Sequence, residues 1–303
     1  MSGRIGYVIL SHANPLQLLR LLRTLQRVYD NPPIACHHDF TQCPLRLDEF
    51  PSEVHFVSPH LPTRWGQFSI VAASLRALDL LYRHAAPDWF VLISSADYPT
   101  MRGEQVLEEL IHNKSDVLLD YREVPKVLRE QSVSEGHSLP HEAPDNMALA
   151  WRRYVAQNFW FPIVRLRNGL RIGRHTASLP FRAWHSPFAD NFKCFYGDFW
   201  FTGNQKAAEI LLRPTHEHLE LSRYLRWRVV PDECYYQTVL VNTPQLEISK
   251  STRRFAKWEG GPGAHPWNLE LSDLPAIISA KAHFARKFAP GASVLDEIDR
   301  MLS

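Results

Sequence analysis

Three observations predict an α/β fold built on a central sheet. Short apolar runs alternate with amphipathic helical segments through residues 1–120, the pattern of strand–helix units packed in layers. Polar residues stand where those runs end, at Ser11-His12, Asp39 and Asp97, and in open α/β sheets the carboxyl ends of strands are where ligands sit. The 303 residues are 45% hydrophobic and 22% charged, enough apolar material for one large domain or two small ones with a proper core.

The elements follow in order. Residues 5–10 read as a strand, and Asn14-Pro15 opens a helix with leucines at 18, 19, 22 and 25. Runs 34–38 and 54–57 are two further strands. The loop Thr63-Arg64-Trp65-Gly66 precedes a helix over 69–82. There Trp65 either packs or, with Arg64, flanks a planar base or a phosphate. D-W-F-V-L-I-S at 88–94 is a buried strand running into Asp97, and a helix over 104–112 and a strand over 116–120 complete a nucleotide-binding-like half.

From 121 to 191 the periodicity fades, and Arg152, Arg153, Arg165, Arg167, Arg171, Arg174 and Arg182 lie among tryptophans and phenylalanines. Such a stretch suits a sugar acceptor, an anionic carrier or nucleic acid, or it is a solvated basic face over a small aromatic core. F-Y-G-D-F-W-F-T-G-N at 195–204 reads as an aromatic strand holding Asp198, followed by a helix over 205–212. A charge among so many aromatics needs a partner or a purpose.

The stretch 230–242, V-P-D-E-C-Y-Y-Q-T-V-L-V-N, places Asp232 and Glu233 behind Pro231. Proline sets the turn, so the acidic pair is either a candidate catalytic base or a helix start with Asp232 as its cap. Residues 251–257 are basic, 260–266 form a glycine and proline loop, and A-H-F-A-R-K-F at 282–288 sets Arg286 and Lys287 between aromatics. No repeat, low-complexity segment or linker divides the chain, so a single domain over 1–303 is expected.

A net charge of +2 gives no global field that demands nucleic acid or an acidic membrane. Cys36, Cys43, Cys194 and Cys234 form no C-x-x-C pair, and reduced thiols are the default. No signal-like or membrane-spanning run is visible, which predicts an intracellular, cytoplasmic protein. G-x-G-x-x-G, the Walker loop and H-E-x-x-H are absent, and His137 and His141, although spaced like metal ligands, straddle Pro140 and read as a loop. D-x-D is missing too, so a nucleotide-sugar donor would need cations from the chain, with Arg254, Arg286 and Lys287 the obvious supply.

Seven blocks, V-I-L-S-H at 8–12, H-H-D at 37–39, T-R-W-G at 63–66, D-W-F-V-L-I-S-S-A-D-Y-P at 88–99, G-D-F-W-F-T at 197–202, P-D-E at 231–233 and F-A-R-K-F at 284–288, resemble the core-2/I-branching β-1,6-N-acetylglucosaminyltransferase and peptide O-xylosyltransferase family, glycosyltransferase family 14. They occur in the family's order over nearly the whole chain. The resemblance implies a GT-A fold and an inverting, metal-independent transfer of GlcNAc or xylose from a UDP-sugar to an acceptor hydroxyl. Glu233 resembles the family's general base, and Asp198 a contact to sugar or acceptor. Arg286, Lys287 and Arg254 resemble its diphosphate-binding cations.

Ser11, His12, Asp39, Thr63, Arg64 and Trp65 fall where the family encloses uridine and ribose, with Asp97 beneath. On this reading 1–120 is the nucleotide half, 121–191 an acceptor-side insert and 192–303 the catalytic and diphosphate-binding half. The missing anchor and disulfides of animal members fit a bacterial enzyme. Its partners are then the donor and a glycan, glycolipid or glycoprotein acceptor, with no nucleic acid and a peripheral membrane association through a lipid-linked acceptor. The contrasting expectation is a catalytically inactive carbohydrate- or nucleotide-binding protein of the same fold.

Overall fold

A computed structural model describes residues 3–126, 145–155, 186–258 and 265–303. His137, His141, Arg165, Arg167, Arg171, Arg174, Arg182 and most of the loop 260–266 lie outside these segments. In chain order, β1 (Ile5–Ser11) leads through Asn14, which has a left-handed backbone (φ 53°), into α1 (Pro15–Val28) with proline in its first turn. Proline suits that turn because the missing N–H would have no partner there. β2 (Ile34–His38), β3 (Val54–Phe56), α2 (Ser69–His84), β4 (Trp89–Ser94), β5 (Asp97–Pro99) and α3 (Gly103–His112) follow.

Next come β6 (Val117–Leu118), β7 (Arg122–Val124), α4 (Asp145–Ala150) and a π-helical turn, Trp151–Val155. The remainder comprises β8 (Cys194–Tyr196), β9 (Thr202–Asn204), α5 (Gln205–Leu212), α6 (His216–Leu225), α7 (Asp232–Val241), β10 (Ile248–Ser249), β11 (Arg254–Ala256), α8 (Leu274–Ser279), β12 (Phe284–Arg286) and α9 (Val294–Leu302).

Among the described residues, seven strands form the main sheet in the order β10-β6-β9-β4-β1-β2-β3. All neighbours are parallel except β9, which runs antiparallel to both β4 and β6. Alternate residues of the central strands feed two apolar layers. Val8, Ala35, Phe90 and Leu92 join the layer with α2, α5 and α7. Ile5, Tyr7, Ile9, Val91 and Ile93 join the layer with α1, α3 and α9. Leu18, Leu21, Leu22 and Leu25 of α1 are fully buried there, each contributing about 2 kcal/mol by removal from water. A three-stranded sheet, β11-β12-β5, and an antiparallel pair, β7-β8, complete the framework. This is the mixed α/β, GT-A-like arrangement expected from the sequence.

Two details differ from the pattern-based reading. The aromatic run 195–204 is not one strand: β8 stops at Tyr196 and β9 begins at Thr202, so Asp198 lies on the connection between them. The cause is Gly197, whose N–H donates to the Glu233 carbonyl at 2.9 Å and where an added Cβ would lie 2.1 Å from the Asp120 carbonyl oxygen. Asp97 also belongs not to the central strand but to β5, the edge of the small sheet. All four cysteines are free.

Candidate active site

The carboxyl ends of β1 and β2 deliver the first group of polar residues. Ser11 shares a hydrogen bond with His38 Nδ1 at 3.1 Å, and His38 Nε2 reaches the Cys43 carbonyl at 2.6 Å. Asp39, just past β2, is fully buried. The Thr41 N–H and hydroxyl donate to its Oδ1, while the Gln42 amide and the Thr63 N–H and hydroxyl donate to Oδ2. Burial alone would raise this carboxyl, but the bonds from Thr41, Thr63 and Gln42 outweigh it and hold the group well below the ordinary carboxylate range. Asp39 thereby ties the 61–66 loop to the strand end, helped by the Leu61 N–H donating to His37 Nε2 at 2.9 Å.

That loop presents its tip outward. Arg64 is anchored by its backbone N–H to Ser69 Oγ, His12 is exposed, and Trp65 is 64% exposed. Packing is therefore not the role of Trp65, whose ring meets His265 edge-on at 5.8 Å. Gly66 accepts from the Val230 N–H at 3.0 Å, which joins the loop to the turn that carries the acidic pair.

The second group forms around the small sheet. Register sets Asp97 opposite Arg286. The Ser94 N–H and hydroxyl donate to Asp97 Oδ2, and Asp97 Oδ1 faces Arg286 Nε at 3.5 Å. Arg286 stacks over Trp200 at 4.6 Å. Lys287 is half-buried, and the Phe288 N–H bonded to the Ala96 carbonyl fixes the chain beside Asp97. Burial and then the charge of Arg286 lower the ammonium pKa of Lys287. Arg254 lies over the Phe284 ring and donates to Thr202 Oγ1 at 3.3 Å. Burial lowers its pKa against the pull of Asp97 and Asp198.

The third group is the acidic corner. α7 starts at Asp232 with Pro231, not Asp232, at the cap position, so the acidic pair is the helix start but Asp232 does not cap it. The Gln237 side chain donates to the Asp198 carbonyl at 2.6 Å and holds the 197–201 connection over the helix. Burial raises Asp198 against the pull of Arg286, with Asp120 and Asp97 adding to the rise. Burial also pushes Asp232 to about 6. Glu233 is pushed to about 7, first by burial and then by Asp232 and Asp198, against Arg153. Arg153 donates from Nη1 to Glu233 Oε2 at 3.1 Å, and the Glu233 side chain keeps 41% of its surface accessible. Its other oxygen, Oε1, has no hydrogen bond among the described residues.

All twelve residues singled out from the sequence thus fall into three adjoining groups. The reading of the chain did not single out Arg153, Asp120, Trp200 and His265 as site residues, although G-D-F-W-F-T did carry Trp200 within a recognised block. Several polar atoms of the site have no good hydrogen bond: Asp97 Oδ1, Asp232 Oδ1, Gln237 Oε1, Arg254 Nε and Arg286 Nε. Among the described residues no cluster of three His, Cys, Asp or Glu side chains has the arrangement of a metal site, and no helix is long and apolar enough to cross a membrane.

Comparison with known proteins matches residues 5–278 to the family described as Branch: Core-2/I-Branching enzyme. The chain is also similar to beta-glucuronosyltransferase GlcAT14A of Arabidopsis thaliana, 24% identical over 239 residues, covering 76% of this chain and 46% of that protein. Beta-glucuronosyltransferase GlcAT14B of the same plant is 25% identical over 318 residues, covering 99% and 66%. The chain therefore spans between about half and two thirds of the length of these relatives. With the profile matched from β1 into α8 and the acidic pair, the aromatic connection and the cations gathered at one end of the sheet, the chain belongs to the Core-2/I-branching enzyme family of glycosyltransferases.

Proposed function

We propose that the chain transfers a sugar from a UDP-sugar to an acceptor hydroxyl with inversion and without a divalent metal, using Glu233 as general base. The observation that carries this reading is the state of Glu233. Its carboxylate is accessible, has one oxygen without a hydrogen bond among the described residues, and is pushed up to about 7 by burial and the neighbouring acids, where a base is both ionised and able to hold a proton at neutral pH. The acceptor O–H proton passes to Glu233 as the acceptor oxygen bonds to the anomeric carbon. The bond from that carbon to the β-phosphate oxygen breaks, and UDP departs with the electron pair.

Arg286 and Lys287 supply the charge for the departing diphosphate, with Arg254 behind them. Guanidinium and ammonium groups held at the end of β12 and just after it oppose the developing charge without reorganising. Asp198, on its connection beside Gln237, contacts the sugar or acceptor. Ser11, His12, the Asp39-ordered loop 61–66 and exposed Trp65 enclose the uridine and ribose, with Asp97 orienting Arg286. GlcNAc and xylose are donor candidates, and the names of the two relatives add glucuronate. A glycan, glycolipid or glycoprotein is the acceptor.

The test is UDP release from a panel of UDP-sugars in EDTA, with and without Glu233→Gln. Release from one donor, lowered by roughly 10²–10⁴-fold in the variant, supports the reading and names the sugar. Equal turnover by the variant removes Glu233 from its role, and release that needs added manganese removes the cation-only account of the diphosphate.

A further inference from the structure

The π-helical turn Trp151–Val155 is fastened to the start of α7 by two adjacent side chains. Tyr154 is fully buried. Its hydroxyl donates to the Val230 carbonyl at 2.7 Å, and its own carbonyl accepts from the Tyr224 hydroxyl at 2.6 Å. Arg153 therefore projects from a backbone fixed to the very turn that sets Glu233. Its Nη1 holds Glu233 Oε2 at 3.1 Å, with side-chain accessibilities of 23% and 41%, so the contact lies at the open edge of the site.

The charged and titratable groups facing Glu233 are Asp232 on its own helix, Asp198 from the β8–β9 connection, and Tyr154 and Arg153 from the π-helical turn, with Cys234 next in the chain. Arg153 is the cation in this set. Two carboxylates and a guanidinium act on Glu233 in opposite senses. The acids favour a proton on Glu233, and the arginine favours its absence.

We infer that Arg153 is a positioning residue for Glu233: it occupies Oε2, leaves Oε1 as the oxygen that takes the acceptor proton, and keeps the carboxylate ionised. Through Tyr154 it also makes a described part of the 121–191 stretch, the turn Trp151–Val155, part of the base's own support. The inference rests on Glu233 being the base. The opposite sign is equally concrete, since an arginine that merely blocked the carboxylate would slow the enzyme, and its removal would speed UDP release.

The experiment titrates the Glu233 carboxyl by carbon NMR in the full chain labelled with ¹³C-glutamate, the signal being assigned by its loss in Glu233→Gln. Wild type is compared with Arg153→Met and Arg153→Lys. The midpoint is expected to rise by about one pH unit or more in Arg153→Met and to return most of the way in Arg153→Lys. UDP release by Arg153→Met then falls about fivefold at pH 7, as the ionised fraction drops from about a half to about a tenth, and recovers by about pH 9. An unmoved midpoint, a loss of equal size at every pH, or faster release in Arg153→Met overturns the inference. If Glu233→Gln releases UDP like wild type, the base assignment fails instead, and the midpoint still reports whether Arg153 holds the carboxylate.

Discussion

The loop cluster around Asp39 and the acidic corner around Glu233 use carboxylates in opposite ways. Both oxygens of Asp39 are occupied by Thr41, Gln42 and Thr63, and the group is held ionised. In the corner, Asp232 Oδ1 and the neighbouring Gln237 Oε1 have no partner, and Asp232 and Glu233 rise to about 6 and 7. The first arrangement fixes a loop, because a buried charge with several donors resists rearrangement. The second leaves buried polar atoms without partners, at a cost to the folded state. The contrast separates a carboxylate fixed by its donors from a pair whose protons are held more tightly, which is the distinction the proposed roles in binding and proton transfer require.

The largest effect is expected in the backbone that supports the acidic corner, at Gly197. Gly197→Ala would place a methyl 2.1 Å from the Asp120 carbonyl oxygen and 2.7 Å from its carbon, atoms that no rotamer change can move. A loss of about 4 kcal/mol or more, or failure to fold, is expected in denaturant melts. Gly291→Ala is the control: it meets nothing within 4 Å but sits at φ 72°, so about 1 kcal/mol is expected from backbone strain alone. Equal losses in both variants would mean that close approach at Gly197 is not what shapes the connection.

Next in size is Asp39→Ala, which strips five hydrogen bonds from a buried carboxylate and costs about 3 kcal/mol. The sign with pH is set by its depressed pKa. Its contribution is present above the ordinary carboxylate range and fades as pH falls through the lower folded value. The gap between wild type and variant should therefore shrink in acid. Weaker UDP binding should accompany it, since the 61–66 loop loses its tie. A gap constant from pH 7 to pH 3, or undiminished UDP affinity, would show that Asp39 is not what orders this loop.

The sequence made visible whatever is local. β1, β2 and β4, and the helices α1, α2 and α3, are set by apolar periodicity, so pattern and structure differ only by a residue or two at their ends. Asp39 was legible only as a polar residue at a strand end; its tie to the 61–66 loop runs through Thr63, distant in the chain. The break at Gly197 was not legible, because its cause is the backbone of Asp120, distant in the chain. Arg153 was one of many arginines in an aperiodic stretch. What distinguishes it is the adjacent Tyr154, whose hydroxyl finds a carbonyl far along the sequence, and no local pattern encodes that contact.

The smallest effect is also the most direct reading of the contrast. Asp232 takes up its proton at about 6 in the folded chain, against about 3.9 when unfolded. The folded state thus binds the proton more tightly, and wild type loses stability as pH rises between those values. Asp232→Asn removes that loss. Its melting temperature should match wild type near pH 4 and exceed it above pH 7 by on the order of 2 °C, corresponding to roughly 1 kcal/mol after allowance for partial solvent screening. Asp39→Ala must show the reverse, with its deficit greatest at neutral pH. If both variants shift in the same direction with pH, the two carboxylates are not opposed, and the raised value in the acidic corner cannot come from burial beside Asp198.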